Sequence, residues 1–343
     1  MTGEDPEVTL IRPASPSAGA RGRPRPGPGT GRAVAVLALV ALAALIPLLG
    51  PSPALHGTGE AEAPGTGGIA LLRGVLFAAL AVPLGELFAG RLARSLRGAP
   101  PPVPRSWSAP AAVVGFVAAL GLASVVATGN LVPDGLAEID VGGLYSSRDG
   151  KLALLEVNAF LVAGLCAASG RPGTQVWPLA AVVAAEALRA HPPTEPGPLL
   201  GSGLTLLHLT CASLWVGGLL HVLRVLGRWR GAEAGPALLG LYARVAAVLL
   251  AVITATGVCS SLRRMPAGTI LDQLTDTAFG RVLVAKVLLV AAVAALALWA
   301  RIRLGRAADP LAACSPARAE VAVLGVVVAV SGLLTALPVP IRW

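Results

Sequence analysis

Few residues in this 343-residue chain could hold a soft metal ion: four histidines (His56, His191, His208, His221), four cysteines (Cys166, Cys211, Cys259, Cys314) and two methionines (Met1, Met265). One pair has useful spacing. At about 100° per residue, Cys211 lies about 300° beyond His208 on a helix and Trp215 falls about 20° short of two full turns, so the three share one face. An imidazole and a thiol one turn apart can touch the same ion. The alternative is structural: a histidine hydrogen-bonded to a neighbouring helix, with the cysteine as a small apolar filler. His221 stands about 220° round and about 20 Å along the axis from His208, so a haem with two axial histidines lacks a convincing second ligand. The cysteines form no C-x-x-C or other compact pattern, so no zinc or disulfide framework is expected.

The elements that must position these groups are membrane helices. The chain is 55% hydrophobic and 13% charged, with mean hydropathy +0.75, against about 25% charged residues in soluble domains. Nine apolar segments follow one another: Ala33–Gly50, Ile69–Gly90, Ala109–Asn130, Leu152–Ala168, Gln175–Arg189, Leu199–Leu223, Ala237–Leu262, Val282–Ala300 and Ala319–Leu337. The fold class expected is all-α, a polytopic transmembrane bundle of about nine spans, each needing about 20 apolar residues. Residues 1–32, rich in Pro, Gly, Ser and Arg, are expected to be a disordered cytoplasmic tail. Residues 33–190 form an N-terminal membrane region of five spans, and residues 199–337 a four-span domain. The first apolar segment is longer than a signal-peptide core and reads as an uncleaved span.

The net charge of +9 would suggest nucleic acid in a soluble protein, but here the arginines sit in short loops between apolar runs. With the tail inside, seventeen of the 27 basic residues fall in inner segments and seven in outer ones. That bias predicts an inside N-terminus and an outside C-terminus. Aromatic residues make up only 4%, so no platform for stacking bases exists and no nucleic-acid partner is expected.

Ionisable groups inside spans are costly and therefore candidates for function. Arg73 and Glu86, near opposite ends of the second span, read as groups that snorkel to the interface. Glu156, Glu186 and Lys286 fall in the outer half of the bundle and are candidates for proton or ion coupling, with Lys286 as a partner for either carboxylate. The topology also carries His191, His208, Cys259 and Met265 to the outer half of the bundle.

Several motifs resemble the copper resistance D (CopD) family. Leu207-His208-Leu209 with Leu214-Trp215-Val216-Gly217-Gly218-Leu219 is similar to the LH…xWxGGL signature that opens that domain. Thr256-Gly257 is similar to its TG, and Phe279-Gly280-Arg281-Val282-Leu283 with Lys286 to its YGRxLLxK segment. Where the family has Gly-His-Ala ahead of the domain, this chain has Arg189-Ala190-His191-Pro192, retaining the histidine alone. The resemblance implies a multi-pass protein of the bacterial inner (cytoplasmic) membrane whose cargo is copper ion, and with that cargo His191, His208, Cys211 and Met265 become the candidate metal ligands.

Copper transport across the cytoplasmic membrane is the expected function, in uptake, homeostasis or resistance. No Walker-type G-x-x-x-x-G-K-[ST] stretch is present, so hydrolysis-driven pumping by this chain is excluded and no enzymatic activity is expected. The alternatives are a non-transporting copper-delivery partner, working with a periplasmic copper chaperone or an oxidase, and a haem-binding electron carrier. Besides such proteins, the lipid bilayer is the one partner expected, and the sequence leaves the oligomeric state open.

Overall fold

A computed structural model describes residues 28–100, 104–129, 131–133, 135–169, 171–229, 232, 234–265, 267–306 and 314–338. Most of the expected tail, residues 1–27, lies outside the described residues, whereas residues 28–32 already belong to the first helix. The chain divides into a short unit ending at Ala38 and a main unit, Leu39–Trp343. Among the described residues there are helices and no strand. These are α1 (Pro28–Leu49), α2 (Pro51–Leu55), α3 (Thr66–Arg94), α4 (Ser108–Ala127), α5 (Val141–Ser146) and α6 (Arg148–Ala168). They continue as α7 (Val176–Arg189), α8 (Pro198–Arg228), α9 (Ala234–Arg264), α10 (Ile270–Asp276), α11 (Ala278–Arg306) and α12 (Cys314–Ala336).

Seven of these helices, α3, α4, α6, α8, α9, α11 and α12, are long and apolar enough to cross a membrane. The expectation of nine exceeds this by two. Helix α7, with 14 residues, rises only about 21 Å against a hydrocarbon core of about 30 Å, and it ends in charged groups. Helix α1 contributes the shorter apolar stretch Leu37–Leu49.

Helix α3 is the central member and packs on α4, α8 and α12, while α8 packs on α3, α7 and α9. Two glycines set the α3–α8 crossing. A Cβ at Gly217 would strike the Ala81 carbonyl and stand 3.0 Å from Gly85 Cα, and a Cβ at Gly85 would strike the Gly217 backbone. The helices therefore touch backbone to backbone, the close approach that small residues permit in membranes. Gly218 faces a second constriction, where a Cβ would lie 3.0 Å from the Tyr242 ring and 3.1 Å from that of Phe88.

The bundle has two ends, named here for residues that mark them. At the Glu86 end, Glu86 accepts hydrogen bonds from the Ser106 and Ser108 hydroxyls (2.6 Å each) and from Trp107 N (2.8 Å), and Arg224 Nη1 lies 2.9 Å away. It thereby caps the free N–H groups at the start of α4 and ties α3 to α8. Arg224 also stacks on Trp107, 3.7 Å from the ring centroid. At the opposite end, Arg73 pairs with Glu186 (3.2 Å), and Arg189 pairs with Glu186 (3.5 Å) and Glu156 (2.6 Å). This quartet joins α3, α6 and α7, with the Glu156 side chain only 1% exposed. Two expectations are corrected here. Arg73 and Glu86 are both paired within the protein and do not snorkel, and Glu156 and Glu186 take arginine partners in place of Lys286. Arginine's planar fork can serve two carboxylates at once, which an ammonium group does less well.

Candidate functional site

At the His191 end, α8, α9 and α11 present polar groups in three tiers. Position along α8 defines them. The lid tier lies at its first turns, the middle tier at His208, and the floor at Cys211 and Trp215.

In the lid, His191 follows α7 and is 2% exposed. Its Nδ1 lies 2.7 Å from Glu195 Oε2 and its Nε2 lies 2.9 Å from Thr205 Oγ1. The ring fits because position 201 is glycine: the nearest atoms to a Cβ there would belong to the His191 ring. A carboxylate can only accept, so Nδ1 carries the proton toward Glu195, and Nε2 shares the Thr205 hydroxyl, which can serve as donor or acceptor. Both nitrogens are therefore occupied. Arg263 from α9 reaches the same loop, donating to the carbonyls of Pro196 (2.9 Å) and Gly197 (3.0 Å) and standing 3.4 Å from Glu195. Burial alone would raise the Glu195 pKa, but the hydrogen bond and charge of His191 and the Arg263 guanidinium outweigh it and hold this carboxyl below its ordinary value.

The middle tier lies about 4.5 Å further along α8. His208 Nδ1 is 3.0 Å from Thr256 Oγ1 on α9, and that hydroxyl lies 2.7 Å from Val252 O and 3.0 Å from Ile253 O. The single Thr256 proton is directed back to a carbonyl one turn earlier, a habit of threonine in helices. Thr256 Oγ1 must then accept from Nδ1–H, which leaves the lone pair on Nε2, the arrangement a metal-ligating histidine requires. Gly257 beside the ring leaves room, a Cβ there lying 3.6 Å from His208 Cε1. Lys286 lies on α11, whose Val293 shares a buried cluster with Cys211 and Ile253.

The floor is apolar. Cys211 and Trp215 of α8 join Leu249 and Ile253 of α9 and Val293 of α11 in one buried cluster. Tyr242 secures it from below, donating to Trp215 O at 2.5 Å. Cys211 thus sits a turn below His208 in the upper edge of the floor, as the shared helix face predicts. Met265 is buried beyond the last turn of α9, about 14 Å along the axis from Thr256, and so belongs with the lid. The four expected ligands are spread over the three tiers, and no cluster of three or more His, Cys, Asp or Glu side chains suited to a metal ion occurs among the described residues.

Sequence reasoning missed the lid partners Glu195, Thr205 and Arg263. The i, i+4 spacing of His191 and Glu195 was a usable signal for the first of them. It also missed Thr256 as the group that orients His208, although the Thr-Gly pair was visible.

A multi-pass, all-helical membrane protein with an orienting hydroxyl for one intramembrane histidine is the class that fold and site define. Residues 236–334 match the family model described as Copper resistance protein D. The matched region, under a third of the chain, spans α9 through most of α12, and this part of the multi-pass helical protein is similar to the copper resistance D family. Thr256, Met265 and Lys286 fall inside the match, while His191, His208 and Cys211 precede it. No curated protein and no solved structure matches the chain.

Proposed function

We propose that this chain moves copper ions across the cytoplasmic membrane, with the His191 end outside. The arginine bias of the loops supports that orientation, and the copper resistance D match supports the cargo. The single observation that carries the reading is the 3.0 Å contact of His208 Nδ1 with Thr256 Oγ1, whose hydroxyl donates to its own helix, so that a lone pair on Nε2 is left for metal in the middle tier. In this reading copper ions, collected outside by the acidic loop residues Glu138 and Asp140, pass the lid when His191 gives up Thr205. They bind His208 with Cys211 one turn deeper, and Met265 offers a thioether at the lid. Imidazole, thiol and thioether are donors that copper(I) accepts. A site with so few donors holds an ion weakly enough to release it, as conduction demands. Glu156, Glu186 and Lys286 are the candidates for ion coupling. The first two are charge-balanced by Arg73 and Arg189, so coupling through them requires opening the quartet.

The experiment is copper(I) uptake into proteoliposomes. We expect His208→Ala to lower the initial rate at least tenfold, and His191→Ala to change it by opening the lid. An unchanged rate in the His191→Ala, His208→Ala double variant would refute the path.

The apolar floor favours a second reading, in which copper is bound at the middle tier and handed to a periplasmic chaperone or an oxidase without crossing. The same vesicles separate the two: bound copper with no accumulation in the lumen selects delivery.

A further inference from the structure

Helix α6 has two contrasting faces. Ala153, Glu156, Phe160 and Ala163 are buried on one of them, where Arg189 holds Glu156. The other is open and apolar: Leu155, Leu161, Val162 and Leu165 are 42–64% exposed. Asn158 lies among them and is exposed as well. Leu155, Asn158, Val162 and Leu165 follow at steps of three, four and three residues, the repeat by which two helices keep one seam in contact over several turns. Lys151, also exposed, heads the stripe from the first turn, where its long stem can carry the ammonium group out to water.

Asn158 is the residue that lipid does not accommodate. It stands at the centre of the 21-residue helix, about 15 Å from either end and so near the middle of a hydrocarbon core about 30 Å thick. Its Nδ2 donates to Leu154 O at 2.8 Å, which uses one of the two N–H groups of the carboxamide and leaves the other and the oxygen. Among the described residues it forms no other hydrogen bond. Lipid tails supply neither donor nor acceptor, so polar groups left open there are costly. We infer that this face of α6 is a homodimer interface, on which a second copy of the chain in the same membrane orientation lays its own α6 with Asn158 against Asn158. A carboxamide complements a copy of itself: the positive N–H of each meets the negative oxygen of the other. A twofold axis along the membrane normal brings every layer of the seam onto its own equivalent, so Leu155, Val162 and Leu165 meet their counterparts while the asparagine pair fixes the register. Interhelical hydrogen bonds and close packing drive such association where hydrophobic burial cannot. The Glu156 ion pairs, on the opposite face, stay intact.

The test uses the full chain, labelled at its N-terminus in separate donor and acceptor batches and reconstituted together in phosphatidylcholine vesicles. Energy transfer is followed as lipid dilutes the protein. The wild type is expected to trace a monomer–dimer curve above the level of random proximity. Asn158→Leu puts an ordinary lipid-facing residue on the surface and should weaken association about tenfold with an unchanged thermal melt of the monomer. Asn158→Gln, which keeps a carboxamide, should stay within about threefold of the wild type. Val162→Trp, wedged into the seam, should also weaken the dimer, whereas Val287→Trp on the exposed face of α11 should not. A wild type that remains monomeric across the dilution range overturns the proposal. So does a dimer of undiminished strength in Asn158→Leu, because the contact would then owe nothing to the amide pair.

Discussion

The α3–α8 crossing offers the sharpest quantitative test of the fold. Replacing Gly217 by alanine adds one methyl group whose carbon would stand 2.7 Å from the Ala81 carbonyl carbon and 3.0 Å from Gly85 Cα. Carbon atoms rest about 3.5–4.0 Å apart, so the helices must separate by about 1 Å or rotate. Overpacking of this kind usually costs about 1–3 kcal/mol because side chains can yield. Here both sides of the contact are backbone, so the upper end, about 3 kcal/mol, is expected. For a chain of 343 residues, with unfolding entropy of about 2.1 cal/mol/K per residue, that lowers the melting temperature by roughly 4 °C. The assay is a thermal melt in detergent, with Gly203→Ala as control. Position 203 has nothing within 4 Å of a Cβ, and alanine there should be neutral or slightly stabilising, by up to about 1 kcal/mol. If the Gly217→Ala variant melts within about 2 °C of the control, the backbone contact is not what holds the two helices together. The same shift should appear with Gly85→Ala, because its Cβ would strike the facing Gly217 backbone.

Three further outcomes follow from the charged groups. Arg189→Gln leaves Glu156 and part of Glu186 as buried uncompensated carboxylates; breaking one partner of such a pair costs about 3–5 kcal/mol, and a thermal melt should register more loss than for Glu156→Gln, which leaves Arg189 its contact with Glu186. The lid has a defined pH range. Glu195 is held below its ordinary value in the folded protein, so its contribution is complete above about pH 4.3, the ordinary glutamate value. It fades as pH falls through the lower folded value. The difference in melting temperature between wild type and Glu195→Gln should therefore persist from pH 7 to pH 5 and vanish in stronger acid; a difference that vanishes already between pH 6 and pH 5 would contradict the assignment. Finally, Thr256→Val removes the acceptor that fixes His208 while keeping the shape, and should weaken copper(I) binding to the purified protein although valine touches no metal; equal affinity would show that the tautomer does not depend on Thr256.

How far this architecture could be read from sequence depends on whether a feature is local or relational. Periodicity along one helix is local, so the common face of His208, Cys211 and Trp215 was legible, as was the placement of Lys286 in the same half of the bundle. Partner choice is relational. Arg73 and Glu186 stand 113 positions apart, and which carboxylate meets which cation depends on helix adjacency and axial register. Hydropathy is nearly blind to both. That is why Lys286 was assigned a carboxylate and Glu86 a place in the interface, when Glu86 instead closes the amide groups at the start of α4. The two candidates His191 and His208 show the limit most clearly. Both are histidines at the same end of the bundle, yet their chemistry is set by the hydrogen-bond inventory of their neighbours. Glu195 and Thr205 consume both nitrogens of His191. Thr256, having directed its one proton to its own helix, can only accept from His208. A hydroxyl proton that turns back one turn along α9 thus decides which of two histidines can meet a metal, and no spacing rule along the chain contains that information.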